Sequence, residues 1–149
     1  MRSIRFLRIF ILLAAFAGVA FAAEKPVNTS LLGVAIKGYD PVAYFKDSRP
    51  VEGESRFTVE WIGAKWRFSS AENSALFKAN PEKYAPQFGG YCASAVSRGY
   101  TASIDPASWK IVEGKLYLNY SSKVQAMWAE DLPGNISKAE ANWPKLIGK

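Results

Sequence analysis

Phe57-Thr58-Val59-Glu60-Trp61-Ile62-Gly63-Ala64-Lys65-Trp66-Arg67-Phe68-Ser69-Ser70-Ala71-Glu72 is the stretch that decides the fold class. Between Phe57 and Trp61, apolar and polar residues alternate with the two-residue period of a strand that buries one face. Ile62-Gly63 supplies a tight turn and residues 64–68 return, so the segment predicts an antiparallel hairpin. Phe57, Val59 and Trp61 share one face, with Trp66 and Phe68 across from them. Aromatic cross-strand pairs of this kind stabilise a sheet by roughly 0.2–1 kcal/mol each, which makes these rings core residues before anything else. Ser69 and Glu72 follow at capping-box spacing, predicting a helix through Leu76 and Phe77 to about residue 79.

Outward from this stretch the same succession recurs. Trp109-Lys110-Ile111-Val112, a turn at Glu113-Gly114 and residues 115–120 predict a second hairpin. Ser121-Ser122 then caps a helix over about 123–131, with Val124, Met127 and Trp128 at core spacing. The interval from Gly63 to Ser69 is one residue shorter than that from Gly114 to Ser121, so the repeat reads as a weak one. Two hairpins, each followed by a helix, predict an α+β fold: a small single domain in which an antiparallel sheet of two hairpins carries several short helices. Asp40-Pro41 and Asn80-Pro81 each pair a capping side chain with proline at the first helical position, and each starts a short helix. For Asp40, capping outweighs a catalytic role, because the Asp-Pro pair explains itself locally. Residues 24–30 read as a loose polar lead-in and 31–36 as an apolar strand or turn. Residues 100–104 read as a strand, and Asp105-Pro106 as the cap of another turn. Pro133-Gly134 reads as a break before a last helix over 136–142.

The N-terminus carries Arg2, Arg5 and Arg8, then an apolar run, then the small-residue pattern Ala20-x-Ala22. This is the layout of a signal peptide over residues 1–22, and the apolar run over 9–23 is shorter than the about 20 residues a membrane span requires. The expected mature chain is therefore 23–149, periplasmic or secreted, with no membrane span after cleavage. The formal charge is +6, and setting aside the three leader arginines leaves 16 basic against 13 acidic residues, or +3. So mild a balance gives no nucleic-acid footprint. The chain has no histidine. That excludes a Ser-His-Asp triad, a Cys-His pair, a histidine-ligated haem and the usual zinc sites. One cysteine excludes an intrachain disulfide. No metal site and no cofactor are read from the sequence.

That cysteine lies in Phe88-Gly89-Gly90-Tyr91-Cys92-Ala93-Ser94-Ala95-Val96-Ser97-Arg98-Gly99-Tyr100. Gly89-Gly90 allows a sharp turn or close backbone approach, residues 91–97 suit two helical turns, and Gly99 suits the helix end. Cys92 is thereby placed in the first turn of a helix, where N–H groups and the helix dipole favour a thiolate, with Arg98 or a lysine as further support. Cys92 is the candidate catalytic residue on this reading. On the other reading it is a small buried hydrophobe.

Taken together, Gly38-Tyr39-Asp40-Pro41-Val42-Ala43-Tyr44-Phe45, Trp66-Arg67-Phe68-Ser69-Ser70-Ala71-Glu72-Asn73, Leu76-Phe77, Asn80-Pro81-x-x-Tyr84-x-Pro86 and Gly89-Gly90-Tyr91-Cys92 resemble the YHS domain family, in particular its secreted (seleno)protein branch. The resemblance spans about residues 31–143. Metal-associated members of that family carry cysteines that fall here at Ala43, Ser69 and Asn73, so the resemblance implies that soft-metal binding of that kind is lost. Ser69 and Asn73 read instead as helix-capping and helix-surface residues. The selenoprotein relatives imply chemistry at the position of Cys92. Three functions follow as expectations. The first is a non-enzymatic binding or accessory module of the cell envelope, whose ligand is a protein or small molecule held by the aromatic surface. The second is a thiol-redox protein with Cys92 as lone nucleophile, reset by an external thiol. The third is a metal-associated protein using Cys92 and Met127 as soft ligands. The particular ligand and the oligomeric state are not written in the sequence.

Overall fold

Both expected hairpins form, and each closes on a turn whose two central residues have positive φ: Ile62 and Gly63 in the first, Glu113 and Gly114 in the second. Such turns match the right-handed twist of the flanking strands. In the computed structural model, which describes residue 18 and residues 22–149, β1 (Glu54–Trp61) pairs antiparallel with β2 (Ala64–Phe68), and β3 (Asp105–Val112) with β4 (Lys115–Asn119). The α+β class is as expected, and the hairpins stand as two separate two-stranded sheets. Among the described residues, six helices complete the single domain: α1 (Pro41–Lys46), α2 (Ala71–Ala79), α3 (Pro81–Tyr84), α4 (Ala93–Ser97), α5 (Ser122–Ala129) and α6 (Leu132–Leu146). The signal-peptide reading of 1–22 falls almost wholly outside the described residues. Among the described residues, no helix is long and apolar enough to cross a membrane.

Strand alternation holds in β1, where Phe57, Val59 and Trp61 are half-buried between exposed neighbours. Val59 lies opposite Trp66 as expected, but Phe68 faces Glu54, because a bulge between Glu54 and Thr58 shifts the register. Trp61, Trp66, Phe68 and Phe77 then stack into one aromatic cluster with ring centroids 5.0–5.9 Å apart.

Several boundaries differ from expectation. The cap of α2 is Ser70, whose hydroxyl accepts from the Asn73 N–H, and not Ser69. The segment 100–104 is not a strand; β3 begins at Asp105, whose carboxylate accepts from the Ala107 N–H and folds the chain into a second bulge, between Asp105 and Trp109. Pro133 does not break a helix: it sits in the first turn of α6, where a missing N–H costs nothing, and Asp131 caps that helix through the Gly134 N–H. The lead-in 24–30 is anchored rather than loose. Asn28 N–H and Nδ2 bond to the Gly89 and Gly90 carbonyls, Glu24 N–H bonds to Leu146, and Val27 is buried. Of the apolar run 31–36, Val34, Ala35 and Ile36 enter the core, while Leu31 and Leu32 are exposed at a turn.

The repeat is much closer than its sequence suggests. Each paired residue of the first hairpin has a counterpart 51 positions on: Glu54 and Asp105, Thr58 and Trp109, Trp61 and Val112, Phe68 and Asn119. The same interval separates the caps Ser70 and Ser121, and the caps Asn80 and Asp131. It also relates the ring pair Trp66–Phe77 to the pair Tyr117–Trp128, both at 5.3 Å. Upstream the interval is 52. Ile36, Lys37 and Gly38 match Phe88, Gly89 and Gly90, all with positive φ, before Tyr39 and Tyr91 in the same extended conformation. Asp40 and Cys92 then occupy the same place, each as an N-cap, each donating its N–H to a carbonyl of the following loop, Val51 and Ala102 respectively.

Candidate functional site

Two equivalent positions, Asp40 and Cys92, are solved by different chemistry. Asp40 is fully buried. Its Oδ1 accepts from the Val42 and Ala43 N–H groups and so caps α1, as the Asp-Pro pair predicts. Its Oδ2 accepts from the Ser69 N–H, Ser69 Oγ and Asn73 Nδ2, each at 2.8 Å. Ser69 is therefore a ligand of Asp40 and not the helix cap, and Asn73 is buried and not on the helix surface. Lys46 closes the cluster, its Nζ donating to Asn73 Oδ1 at 3.2 Å and pairing with Glu72 at 3.0 Å.

Cys92 is 1% exposed. It stands at the N-cap of α4, one residue earlier than the first-turn position expected, and a thiol there makes no cap bond. The cap comes instead from the end of β4: Asn119 Oδ1 accepts from the Ser94 N–H at 3.1 Å and from the Cys92 thiol at 3.6 Å. With Oδ1 so engaged, the buried Asn119 Nδ2 has no partner among the described residues. The sulfur's polar neighbour is thus an acceptor oxygen, and the helix behind it spans five residues. The Gly89-Gly90 turn that sets this geometry tolerates no side chain, since a Cβ on Gly89 would collide with the Pro26 carbonyl and one on Gly90 with Ile36.

Above the thiol lies a pocket of about 260 Å³. Cys92, Ser94 and Ala95 form its buried floor. Ala102 and Val124 are half-buried in its walls. The rim is exposed and consists of Arg98, Tyr100 (51%), Tyr120 (58%) and Met127 (44%). Met127 was expected in the core with Val124 and Trp128; only Trp128 is fully buried. Three residues singled out from the sequence, Cys92, Arg98 and Met127, thus meet in one pocket. Tyr100 and Tyr120 are the lining residues that sequence reasoning missed. Their signal was weak: each is an aromatic within three residues of a helix or strand end, in a segment read as structural. No group of three or more His, Cys, Asp or Glu side chains at metal-binding distance occurs among the described residues.

Compared with known proteins, the chain matches no family model, no curated protein and no solved structure.

Proposed function

We propose that this chain is an exported, YHS-like binding module of the cell envelope, non-enzymatic, whose ligand is a small molecule taken up in the pocket above Cys92. The observation that carries the reading is that pocket: a mostly apolar floor and walls under an exposed rim of two tyrosines, a methionine and an arginine. Concave apolar sites with a few polar groups at fixed places are the usual form of small-ligand sites. Catalysis is the weaker reading, because the chain has no histidine to act as base near neutral pH and the thiol donates to an amide oxygen. Export rests on the arginine-led apolar N-terminus ending in Ala20-x-Ala22.

The test separates binding from thiol chemistry. The folded 23–149 chain is exposed to hydrogen peroxide or glutathione disulfide, and free thiol is followed over time beside the urea-unfolded chain. The binding reading expects Cys92 to react much faster once unfolded, with no turnover when a reductant is supplied. Faster reaction in the folded state, with turnover, transfers the function to the thiol-redox alternative. Cys92 and Met127 also bring two soft donors to one pocket, and this is what the metal-associated alternative rests on. Titration with Cu(I) under reducing conditions tests it, and stoichiometric uptake lost in both Cys92→Ser and Met127→Leu would decide for it.

A further inference from the structure

The duplication provides an internal reference for the Cys92 pocket. Each pocket residue that matters has a counterpart around Asp40: Cys92 for Asp40, Arg98 for Lys46, Tyr120 for Ser69, Val124 for Asn73 and Met127 for Leu76. In the first unit this space is occupied by the chain itself. A carboxylate sits in the middle, its Oδ2 held by three donors from Ser69 and Asn73, and Lys46 bonds to Asn73 and pairs with Glu72. In the second unit the carboxylate has become a thiol. The two donor residues have become Tyr120 and Val124, and a pocket has opened. The cation has been kept but its carboxylate has not: Lys46 pairs with Glu72, whose counterpart 51 positions on is Lys123. Arg98 stands at the rim, and no carboxylate pairs with it among the described residues.

Resting on the small-ligand reading above, we propose that the second unit takes from its ligand the carboxylate that the first unit supplies to Lys46 from Glu72. The ligand is a small monocarboxylate with an apolar body about the size of one ring. Its carboxylate pairs with the Arg98 guanidinium, whose planar fork matches a carboxylate's two oxygens. Its body packs on Val124, Met127 and Ala102, above the Cys92 sulfur. The volume sets the size class, because about 260 Å³ lies just below the range of roughly 300–1,000 Å³ common for drug-sized ligands. Apart from Arg98, the lining's oxygen and nitrogen donors are the neutral hydroxyls of Ser94, Tyr100 and Tyr120, so the pocket offers one cation.

The experiment titrates the folded 23–149 chain with phenylacetate and with its neutral isostere 2-phenylacetamide, following the Met127 and Val124 methyl signals by NMR. The same titrations are run on Arg98→Gln, a surface change whose folding is verified by its melting curve. The expected result is that phenylacetate binds about tenfold more tightly than the amide, and that Arg98→Gln brings the two together. Equal binding of both probes, unchanged in Arg98→Gln, overturns the carboxylate assignment and leaves the small-ligand reading standing. If neither probe moves Met127 or Val124 at millimolar concentration, the small-ligand reading itself falls, and this inference with it.

Discussion

Asp40 and Cys92 show how much one residue type decides. At the N-cap of a short buried helix, aspartate caps the helix with one oxygen and organises a neighbouring helix with the other. Replacing Asp40 by alanine removes a cap worth about 1–2 kcal/mol and leaves donors on half-buried Ser69 and buried Asn73 without an acceptor, at up to about 1–3 kcal/mol each. Asp40→Ala should therefore destabilise the fold by about 3 kcal/mol or more in urea unfolding. Cys92→Ala should cost only about 1 kcal/mol, because Asn119 still caps α4 through the Ser94 N–H and the change removes little buried volume. A larger loss at Cys92 than at Asp40 would show that the thiol is the structural member of the pair. The capping half of Asp40's role was legible in the Asp-Pro dipeptide. The other half was not, because its partners Ser69 and Asn73 are about thirty residues away in sequence, and local spacing assigned them to helix capping and helix surface.

At the scale of elements, the hairpins were read correctly because alternation and a Gly-containing turn are local signals. The repeat was undervalued for an equally local reason. Taking Ser69 as the cap made the two units differ by one residue, whereas the structural caps Ser70 and Ser121 each follow their turn glycine by the same interval. Either serine of a Ser-Ser pair satisfies a capping pattern; Ser69 is drawn away by Asp40, and that long-range bond is invisible from the pattern alone. The strand expected at 100–104 fails similarly: its residues follow the Cys92 helix as loop, and Tyr100 is spent on the rim of the pocket. The hairpin turns carry a prediction of their own. Ile62 has φ 48° in a turn that needs positive φ at both central residues, a conformation that a β-branched side chain adopts only under strain, and it is half-exposed. Ile62→Asn should stabilise the protein by about 0.5–1 kcal/mol, since asparagine tolerates that region. A fall in urea midpoint instead would mean that the Ile62 side chain contributes more through packing on its neighbours than it loses in backbone strain.

The whole molecule is two similar units that share a core, and one side chain ties them with both an aromatic contact and a hydrogen bond. Tyr44 of the first unit is buried, packs at 5.3 Å and a 60° tilt against Trp109 of the second and donates its hydroxyl to the Pro106 carbonyl at 2.8 Å. Burial, with smaller contributions from Tyr39, Asp105 and Asp40, holds the Tyr44 phenol protonated well above its ordinary pKa of 10.0. Burial also raises Tyr91 and Tyr117, the latter in the aromatic cluster of the second unit. The consequence for stability has a definite sign. A group whose folded pKa is raised contributes its full stabilisation below the unfolded pKa, and that contribution declines as pH climbs from there toward the folded value. The protein should thus hold its stability up to about pH 10 and lose it above, with Tyr44 alone contributing up to about 1.4 kcal/mol per pH unit. Tyr44→Phe keeps the ring contact and removes the titrating hydroxyl. It should cost about 1 kcal/mol near neutral pH for the lost bond to Pro106, and should flatten the alkaline decline. Urea unfolding from pH 8 to 11 on both proteins makes the comparison. Parallel curves throughout would mean that Tyr44 is not the group whose ionisation drives the two units apart.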